Sequence, residues 1–213
     1  MKVLGLISHH DCSFCVLEDG VPTIHAELER YTREKSPDGD SFTFFEDICS
    51  LKTDIDAVSC NLSFPEKMET DYPDGLKKLG LWAQERGINC HTVGHHQSHA
   101  ANAFYSSNFD EALIITIAGG GKDIDVRPHP EKPDEAVQVM VATALSVWEG
   151  TGNKIKRISI IESDIINIGF SWNRITRLVF GLSGGYPLGD QAGTVMAMAC
   201  MGDPDKYLEY FES

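Results

Sequence analysis

The chain is organised around one stretch, Val93-Gly94-His95-His96-Gln97-Ser98-His99-Ala100-Ala101-Asn102-Ala103-Phe104-Tyr105. An apolar run that ends at Val93 predicts a short strand, and the Ala-rich run from Ser98 predicts a helix. His95 and His99 are four residues apart, so on a helix they share one face, one turn from each other. That spacing lets two imidazoles reach one metal ion, as on an HExxH helix, or a phosphate group. Histidines that only cap and fill a helix start are the alternative.

Composition narrows the class of protein. The 213 residues carry 32 acidic and 18 basic side chains, for a formal net charge of −14. Such a surface disfavours nucleic acid and anionic membranes, but a small phosphorylated ligand needs only local positive charge. No apolar run approaches the roughly 20 residues of a membrane span, and the N-terminus does not have the pattern of a signal peptide. We therefore expect a cytoplasmic globular protein whose six cysteines are reduced, with no nucleic-acid or membrane partner.

Short apolar runs predict three successive strands, at residues 2–8, 13–18 and 23–27, with Asp19-Gly20 as a hairpin turn. Later strands are predicted at residues 55–61, 89–93, 111–117, 136–148 and 154–162. The continuous apolar run at 111–117 is typical of a strand covered on both faces, and we expect a polar loop from Lys122 to Glu135 after it. Helices are predicted at residues 43–51, 76–86, 98–105, 168–180 and 192–201.

This order of elements predicts an α/β fold with a mixed sheet and flanking helices. It is the pattern of the ribonuclease-H-like fold of sugar kinases and actin-like ATPases, in which two halves face each other across a nucleotide cleft. The chain has strands enough for one half and part of a second. We expect a first lobe at residues 1–120 and the start of a second at residues 121–213.

Two candidate anion sites lie near the N-terminus. The turn around His9-His10-Asp11 offers backbone N–H groups and imidazoles that suit a phosphate or a carboxylate, unless Asp11 only braces the turn. Arg30, Arg33 and Lys35 follow the third strand and can neutralise a bound phosphate, or they form a solvated charged face.

Two glycine-rich segments are further candidates. Gly119, Gly120 and Gly121 follow a predicted strand, where glycine lets the backbone approach a phosphate closely. Gly193 belongs to a second glycine-rich segment that opens the last long helix, whose free N–H groups and dipole favour an anion. That segment is equally consistent with an ordinary helix start.

Four stretches match, in order, the motifs of one enzyme family. They are Val3-Leu4-Gly5-Leu6 with His9-His10-Asp11, Glu29-Arg30-Tyr31-Thr32-Arg33-Glu34-Lys35, His95-His96-Gln97-Ser98-His99-Ala100-Ala101 with Ala103-Phe104-Tyr105, and Gly193, Val195-Met196, Ala199 with Gly202-Asp203-Pro204. Together they resemble the carbamoyltransferase family of nodulation and antibiotic-tailoring enzymes. The third stretch is the most specific of the four.

The resemblance implies a fold like that of the tRNA-threonylcarbamoyl-forming enzymes, with ATP and a divalent metal, Fe or Mn, in the cleft. It also implies transfer of a carbamoyl group from carbamoyl phosphate, through a carbamoyl-adenylate, to the hydroxyl of a small-molecule acceptor. By position, His95 and His99 would ligate the metal. Lys35 would balance the charge of carbamoyl phosphate and His10 would assist proton movements.

The chain departs from the family at two motifs. Ala118 stands where the family has an aspartate that ligates metal, and Ala192-Gly193-Thr194 stands where the family has Glu-Gly-Lys. The resemblance also covers only the N-terminal part of the family's proteins, so a second polypeptide or a homodimer would complete the cleft. These departures leave two hypotheses: an enzyme that is incomplete as this chain, or a non-catalytic binding or regulatory module of the same fold. A sugar-kinase-like ATPase is a third, weaker hypothesis, because the His-rich helix has no role there.

Overall fold

The computed structural model describes residues 1–8, 11–34, 37–49, 53–61, 73–162, 168–182 and 191–210. They belong to two compact units, Met1–Asn167 and Ile168–Ser213. The architecture is mixed α/β, as predicted, with a mixed sheet and flanking helices. Among the described residues, no helix has both the length and the apolar character needed to cross a membrane.

A five-stranded sheet forms the first part of the larger unit, in the order β3-β2-β1-β4-β5. β2 runs antiparallel to β1 and β3, whereas β4 runs parallel to β1 and β5 runs parallel to β4. The strands are β1 (Lys2–Ile7), β2 (Ser13–Glu18), β3 (Val21–Glu27), β4 (Ala57–Asn61) and β5 (Asn89–Val93). The predicted hairpin turn is confirmed, because Asp19 and Gly20 have φ angles of 50° and 85°, the left-handed pair that a two-residue hairpin requires.

Three helices flank this sheet: α1 (Leu28–Thr32), α2 (Ser41–Ile48) and α3 (Pro73–Arg86). α2 begins where the Asp40 carboxylate accepts a hydrogen bond of 2.7 Å from the Thr43 N–H, which satisfies a free donor of the first turn. The predicted apolar face of α3 is buried at Leu79, Trp82 and Ala83. Aromatic rings from the sheet, α2 and α3 fill the core, with ring centroids 5.4 Å apart for Phe42 and Trp82.

A second, antiparallel sheet has the order β6-β7-β8. Its strands are β6 (Glu111–Pro128), β7 (Ala136–Thr151) and β8 (Lys154–Glu162). The predicted hairpin of β7 and β8 is confirmed, with Gly152 at a φ of 59° in its turn. The loop predicted from Lys122 is wrong as far as Pro128, because β6 shifts register between Ile117 and Gly121 and then continues to pair with β7. The predicted lobe boundary at residue 120 thus falls inside β6, and the division into lobes stays a prediction.

One face of β6 packs against the histidine helix α4 (His95–Tyr105). Ile114 and Thr116 are buried on that face. The prediction that the strand is covered on both faces is wrong among the described residues, since Leu113, Ile115 and Ile117 are 67%, 58% and 51% exposed. A continuous apolar run therefore did not distinguish a strand covered on two faces from one covered on a single face.

The smaller unit contains α5 (Ile168–Leu178), α6 (Ala192–Ala199) and a 3-10 helix (Pro204–Tyr210). The first two correspond to the helices predicted at residues 168–180 and 192–201. Thr176 is buried in α5, and its hydroxyl donates a hydrogen bond of 2.6 Å to the Trp172 carbonyl.

Candidate functional site

A cavity of about 600 Å³ lies within the larger unit, beside strand ends of the first sheet, the helix α4 and the middle of β6. The β1–β2 turn, the start of α1, the end of β4, one face of α4 and the irregular part of β6 all contribute to its wall. The lining residues are Ile7, Ser8, Asp11, Cys12, Ser13, Glu27, Glu29, Arg30, Asn61, His95, Ser98, His99, Asn102, Gly120, Gly121 and Lys122. Segments that the sequence marked separately, the first turn, the segment after β3, the histidine helix and the glycines of β6, therefore meet at one cavity.

His95 and His99 stand side by side at this cavity. Their Nε2 atoms are 3.1 Å apart, and their rings are nearly perpendicular at 83°. With metal–nitrogen bonds of about 2.1 Å, this separation corresponds to an angle of about 95° at a shared ion, close to that between adjacent octahedral ligands. One neutral ring can also donate a hydrogen bond to the other. The separation of the two nitrogens would allow both of them to reach one ligand.

The side chains around the histidine pair provide fewer ligands than a fully protein-bound cation would need. In the described portion of the chain, no group of three His, Cys, Asp or Glu side chains is placed to hold a metal ion. Ala118 lies in β6 just before Gly120 and Gly121, and its methyl group has no ligand atom. His95 and His99 would therefore supply two ligands to a cation, and its remaining positions would be open to water or phosphate oxygens, as in metal sites that keep exchangeable positions.

Two glycines allow α4 to lie directly on β6. A Cβ atom at Gly121 would overlap with the ring of His95, and a Cβ atom at Gly94 would overlap with the carboxylate of Asp123. At the far end of the helix a Cβ atom at Gly150 of β7 would come within 2.6 Å of the Phe104 ring. Such close approach is possible only where the side chain is absent. The absence of a side chain at Gly121 therefore leaves the space that the His95 ring occupies.

Asp123 performs the capping that Gly94 cannot. Gly94 is the N-cap residue of α4 and has no side chain to accept hydrogen bonds from the first turn. The Asp123 carboxylate accepts them instead, at 3.1 Å from the His96 N–H and 3.3 Å from the Gln97 N–H. Asp123 is only 1% exposed, so its charge faces the positive end of the helix rather than water.

His96, the middle histidine, points away from the cavity and is fully buried. Its Nδ1 lies 2.7 Å from the Thr116 hydroxyl and 3.2 Å from the Ser146 hydroxyl, and these two hydroxyls are 2.6 Å apart. The Trp148 indole N–H donates to the Ser146 hydroxyl at 2.6 Å. Burial lowers the pKa of His96, so the ring is neutral at pH 7. Sequence analysis grouped His96 with its neighbours and did not anticipate this separate environment.

The other predicted site residues have different outcomes. His10 and Lys35 lie outside the described residues, so their proposed contact with carbamoyl phosphate stays a prediction. Arg30 lines the cavity and pairs with Glu27 at 3.0 Å and Glu29 at 3.5 Å. Arg33 is the C-cap residue of α1, with a φ of 63°, and does not line the cavity.

The glycines that were predicted to approach a phosphate do not all line the same cavity. Gly120 and Gly121 line the cavity, whereas Gly119 does not. Gly193 lies in α6 of the smaller unit. Lys122 also lines the cavity, although the sequence placed it in a loop. The signal that β6 continues is the alternation of polar and apolar residues in Asp123-Ile124-Asp125-Val126-Arg127, which is the period of a strand.

Cys12 is a cavity residue whose thiol stays protonated. Burial, together with the nearby carboxylates of Asp40 and Asp38, raises the pKa of Cys12 to about 12. A protonated thiol is a poor nucleophile at neutral pH. All six cysteines are free in the structure, and their reduced state in the cell stays a prediction.

Comparison with known proteins relates the chain to a nodulation protein. It is 31% identical to nodulation protein NolNO of Sinorhizobium fredii over an alignment of 226 residues. The alignment covers 95% of this chain and 29% of that protein. It is 26% identical over 191 residues to an uncharacterized Synechocystis protein, sll1178, covering 72% of this chain and 28% of that protein. The chain therefore spans less than a third of the length of these relatives. No protein-family profile matches it.

Among solved structures, YeaZ from Pseudomonas aeruginosa is similar with a TM-score of 0.39 and 10% sequence identity, over 94% of each chain. The similarity to NolNO extends over nearly all of this chain and so includes the histidine helix and β6 together. It agrees with the resemblance that the four sequence motifs carry.

Proposed function

We propose that this chain is the N-terminal part of a carbamoyltransferase that binds carbamoyl phosphate in the cavity beside His95 and His99. The observation that carries the proposal is the 3.1 Å separation of the two Nε2 atoms in a cavity that Gly121 and Lys122 also line. The similarity to a nodulation protein supports it, because the alignment covers 95% of this chain and so extends over the stretches that carry the four motifs.

The topology of the first sheet supports a ribonuclease-H-like lobe. Three antiparallel strands followed by two parallel ones, in the order β3-β2-β1-β4-β5, are the arrangement expected of half an actin-like or sugar-kinase-like fold. The second sheet would then begin the other half, and ATP would bind between halves that the longer relatives complete. A second polypeptide or a second copy of this chain is the alternative source of the missing part.

The chemistry proposed for the cavity rests on neutralising phosphate charge. A divalent metal bound by His95 and His99 would lower the cost of charge that develops on phosphate oxygens. Lys122 and Lys35 would add fixed positive charge, and His10 would move a proton at the leaving phosphate. Hydrolysis of carbamoyl phosphate would release phosphate and give carbamate, whose oxygen would attack the α-phosphorus of ATP and displace pyrophosphate to form carbamoyl-adenylate. The acceptor hydroxyl would then attack the carbamoyl carbon, with AMP as the leaving group.

A non-catalytic module of the same fold is the second candidate. Ala118 offers no ligand atom, and the positive charge of Arg30 is shared with Glu27 and Glu29. Both features reduce the number of groups that can stabilise a transition state. On this hypothesis the cavity would still bind a phosphorylated ligand but would release no product.

Calorimetric titration of carbamoyl phosphate into the protein, with Mn²⁺ and without, tests the binding step. We expect binding that depends on Mn²⁺ and that falls at least tenfold in His95→Ala and His99→Ala. A matched control is His91→Ala, an exposed histidine of β5 that does not line the cavity. Equal binding by all four proteins would reject the site. Release of phosphate and AMP from carbamoyl phosphate and ATP then distinguishes the enzyme from the non-catalytic module.

A further inference from the structure

The side of α4 that packs against the second sheet carries a histidine, His96, which does not line the cavity. His96 has 0% exposed surface, although histidine is rarely so completely buried without a reason. Its Nε2 atom has no hydrogen-bond partner among the described residues, whereas Nδ1 and the backbone N–H are both hydrogen-bonded. These contacts reach two different strands, β6 and β7.

One direction in this group of hydrogen bonds follows from the donor. An indole N–H can only donate, so Trp148 donates to the Ser146 hydroxyl. The Ser146 and Thr116 hydroxyls are 2.6 Å apart and either can donate to the other, and the Thr116 hydroxyl can also donate to the Ser146 carbonyl at 3.4 Å. Nδ1 of His96 is hydrogen-bonded to the Thr116 hydroxyl in both neutral tautomers of the ring, as acceptor in one and as donor in the other.

These contacts fix α4 in two ways. The bond between the Thr116 hydroxyl and Nδ1 of His96 sets the rotation of the helix about its axis. The bonds from the His96 and Gln97 N–H groups to Asp123 set its position along the axis. Because residues one apart on a helix differ by about 100° in direction, anchoring His96 toward the sheets determines where His95 and His99 point.

We propose that His96 is a positioning residue, which holds the first turn of α4 on β6 and β7 so that His95 and His99 face one shared ligand. This inference rests on the proposed function only for the identity of that ligand. The Nε2 separation of 3.1 Å in the His95–His99 pair is the feature that His96 preserves. Groups that orient metal-binding histidines commonly affect metal affinity by about 10- to 100-fold.

The variants separate positioning from simple packing. His96→Phe keeps a buried ring but removes the Nδ1 atom, and Thr116→Val removes its hydroxyl partner with little change of shape. His96→Asn restores a hydrogen-bonding group, an amide that can donate or accept, near the position of Nδ1. Val141→Ala is the control, because Val141 is buried in β7 and loses only apolar contact.

Two measurements on each protein decide the matter. The first is the nuclear Overhauser effect between the ring protons of His95 and His99, which needs no metal. The second is the affinity for Co²⁺ with its visible spectrum. We expect the Overhauser effect to weaken and Co²⁺ affinity to fall about 10- to 100-fold in His96→Phe and Thr116→Val, with partial recovery in His96→Asn and no change in Val141→Ala.

The outcomes keep this inference apart from the proposed function. If His96→Phe retains the His95–His99 Overhauser effect at wild-type strength, the positioning role is rejected whether or not metal binds. If the wild-type protein binds no Co²⁺ while the effect is lost in His96→Phe, positioning is supported and the metal is rejected. A loss of the effect in Val141→Ala of the same size as in His96→Phe would reduce His96 to a packing residue.

Discussion

The imidazole of His95 lies against the backbone of Gly121, at the point where any Cβ atom would overlap with the ring. The two residues come from different elements, α4 and β6, and are separated by 26 positions in the chain. Gly121 therefore matters for the absence of its side chain, and its role in the site does not require direct contact with a phosphate.

Replacing this glycine should displace His95 from His99. We expect Gly121→Ala to lower the free energy of unfolding by about 1–3 kcal/mol, because the added methyl group overpacks a close contact. Binding of Mn²⁺, measured by electron paramagnetic resonance, should weaken in parallel. Gly80→Ala is the control, since nothing lies within 4 Å of its Cβ position. Unchanged Mn²⁺ binding in Gly121→Ala would show that His95 does not depend on this contact.

The second prediction concerns the cap of the histidine helix. Asp123→Ala leaves the N–H groups of His96 and Gln97 without their acceptor, and we expect a loss of about 1–2 kcal/mol in urea denaturation. Asp40→Ala removes the N-cap acceptor of α2 and should cost a similar amount. Only Asp123→Ala should also change the ¹⁵N chemical shifts of His95 and His99. If both variants leave these shifts unaltered, Asp123 is only a stability residue.

The sequence was a good guide to elements and a poor guide to which faces they bury. The hairpin at Asp19-Gly20 and the buried face at Leu79 follow from local turn geometry and helical periodicity, so they could be predicted. The burial of Asp123 could not, because its carboxylate is satisfied by backbone N–H groups 27 residues earlier in the chain. Alternation of polar and apolar residues indicates a strand, but a charged residue in it is expected on the solvent-exposed face until its partner is known.

At the candidate site, too, the sequence predicted the local arrangement and missed the contacts between distant residues. The i, i+4 spacing of His95 and His99 predicted that the two rings lie together, and their Nε2 atoms are 3.1 Å apart. The burial of His96 depends on Thr116 and Ser146, and neither hydroxyl has a local sequence pattern that marks it as the partner of a histidine. Contacts between residues distant in the chain were thus the part that pattern analysis missed.

A third prediction concerns the close steric contact between Gly94 and the carboxylate of Asp123. Gly94→Ala should be strongly destabilising, because its Cβ atom would overlap with the Asp123 carboxylate. In an Asp123→Ala background the space opens, so the same change should cost much less, or even stabilise the helix start. The backbone of Gly94, with a φ of −64° and a ψ of 155°, is allowed for alanine. Additive losses in the double variant, measured by urea denaturation, would contradict a steric origin.

A fourth prediction concerns acid stability. The hydrogen bond from Arg127, together with the charge of Arg157, lowers the pKa of Asp125 from its ordinary value of 3.8. Between the unfolded and the folded pKa, Asp125 is protonated in the unfolded chain but still ionised in the folded chain. Its ionised carboxylate therefore stabilises the fold at neutral pH, and this contribution is lost as the pH falls through the folded pKa. Asp125→Asn should therefore flatten the stability profile below pH 4 in denaturation series. A profile unchanged by the substitution would contradict the assignment.

The last prediction tests whether the cavity contains a reactive thiol. Cys12 lines the cavity, but burial with the Asp40 and Asp38 carboxylates raises its pKa to about 12, and burial with Cys90 and Asp40 nearby raises that of Cys60 to about 11. Iodoacetamide attacks the thiolate, so at pH 8 we expect mass spectrometry to find the exposed Cys200 alkylated first and Cys12 last. Alkylation in urea is the control, because unfolding should make all six cysteines react alike. Rapid modification of Cys12 in the folded protein would contradict the prediction and mean that the cavity holds a nucleophile. The Cys12 thiol would then be a candidate first acceptor of the carbamoyl group.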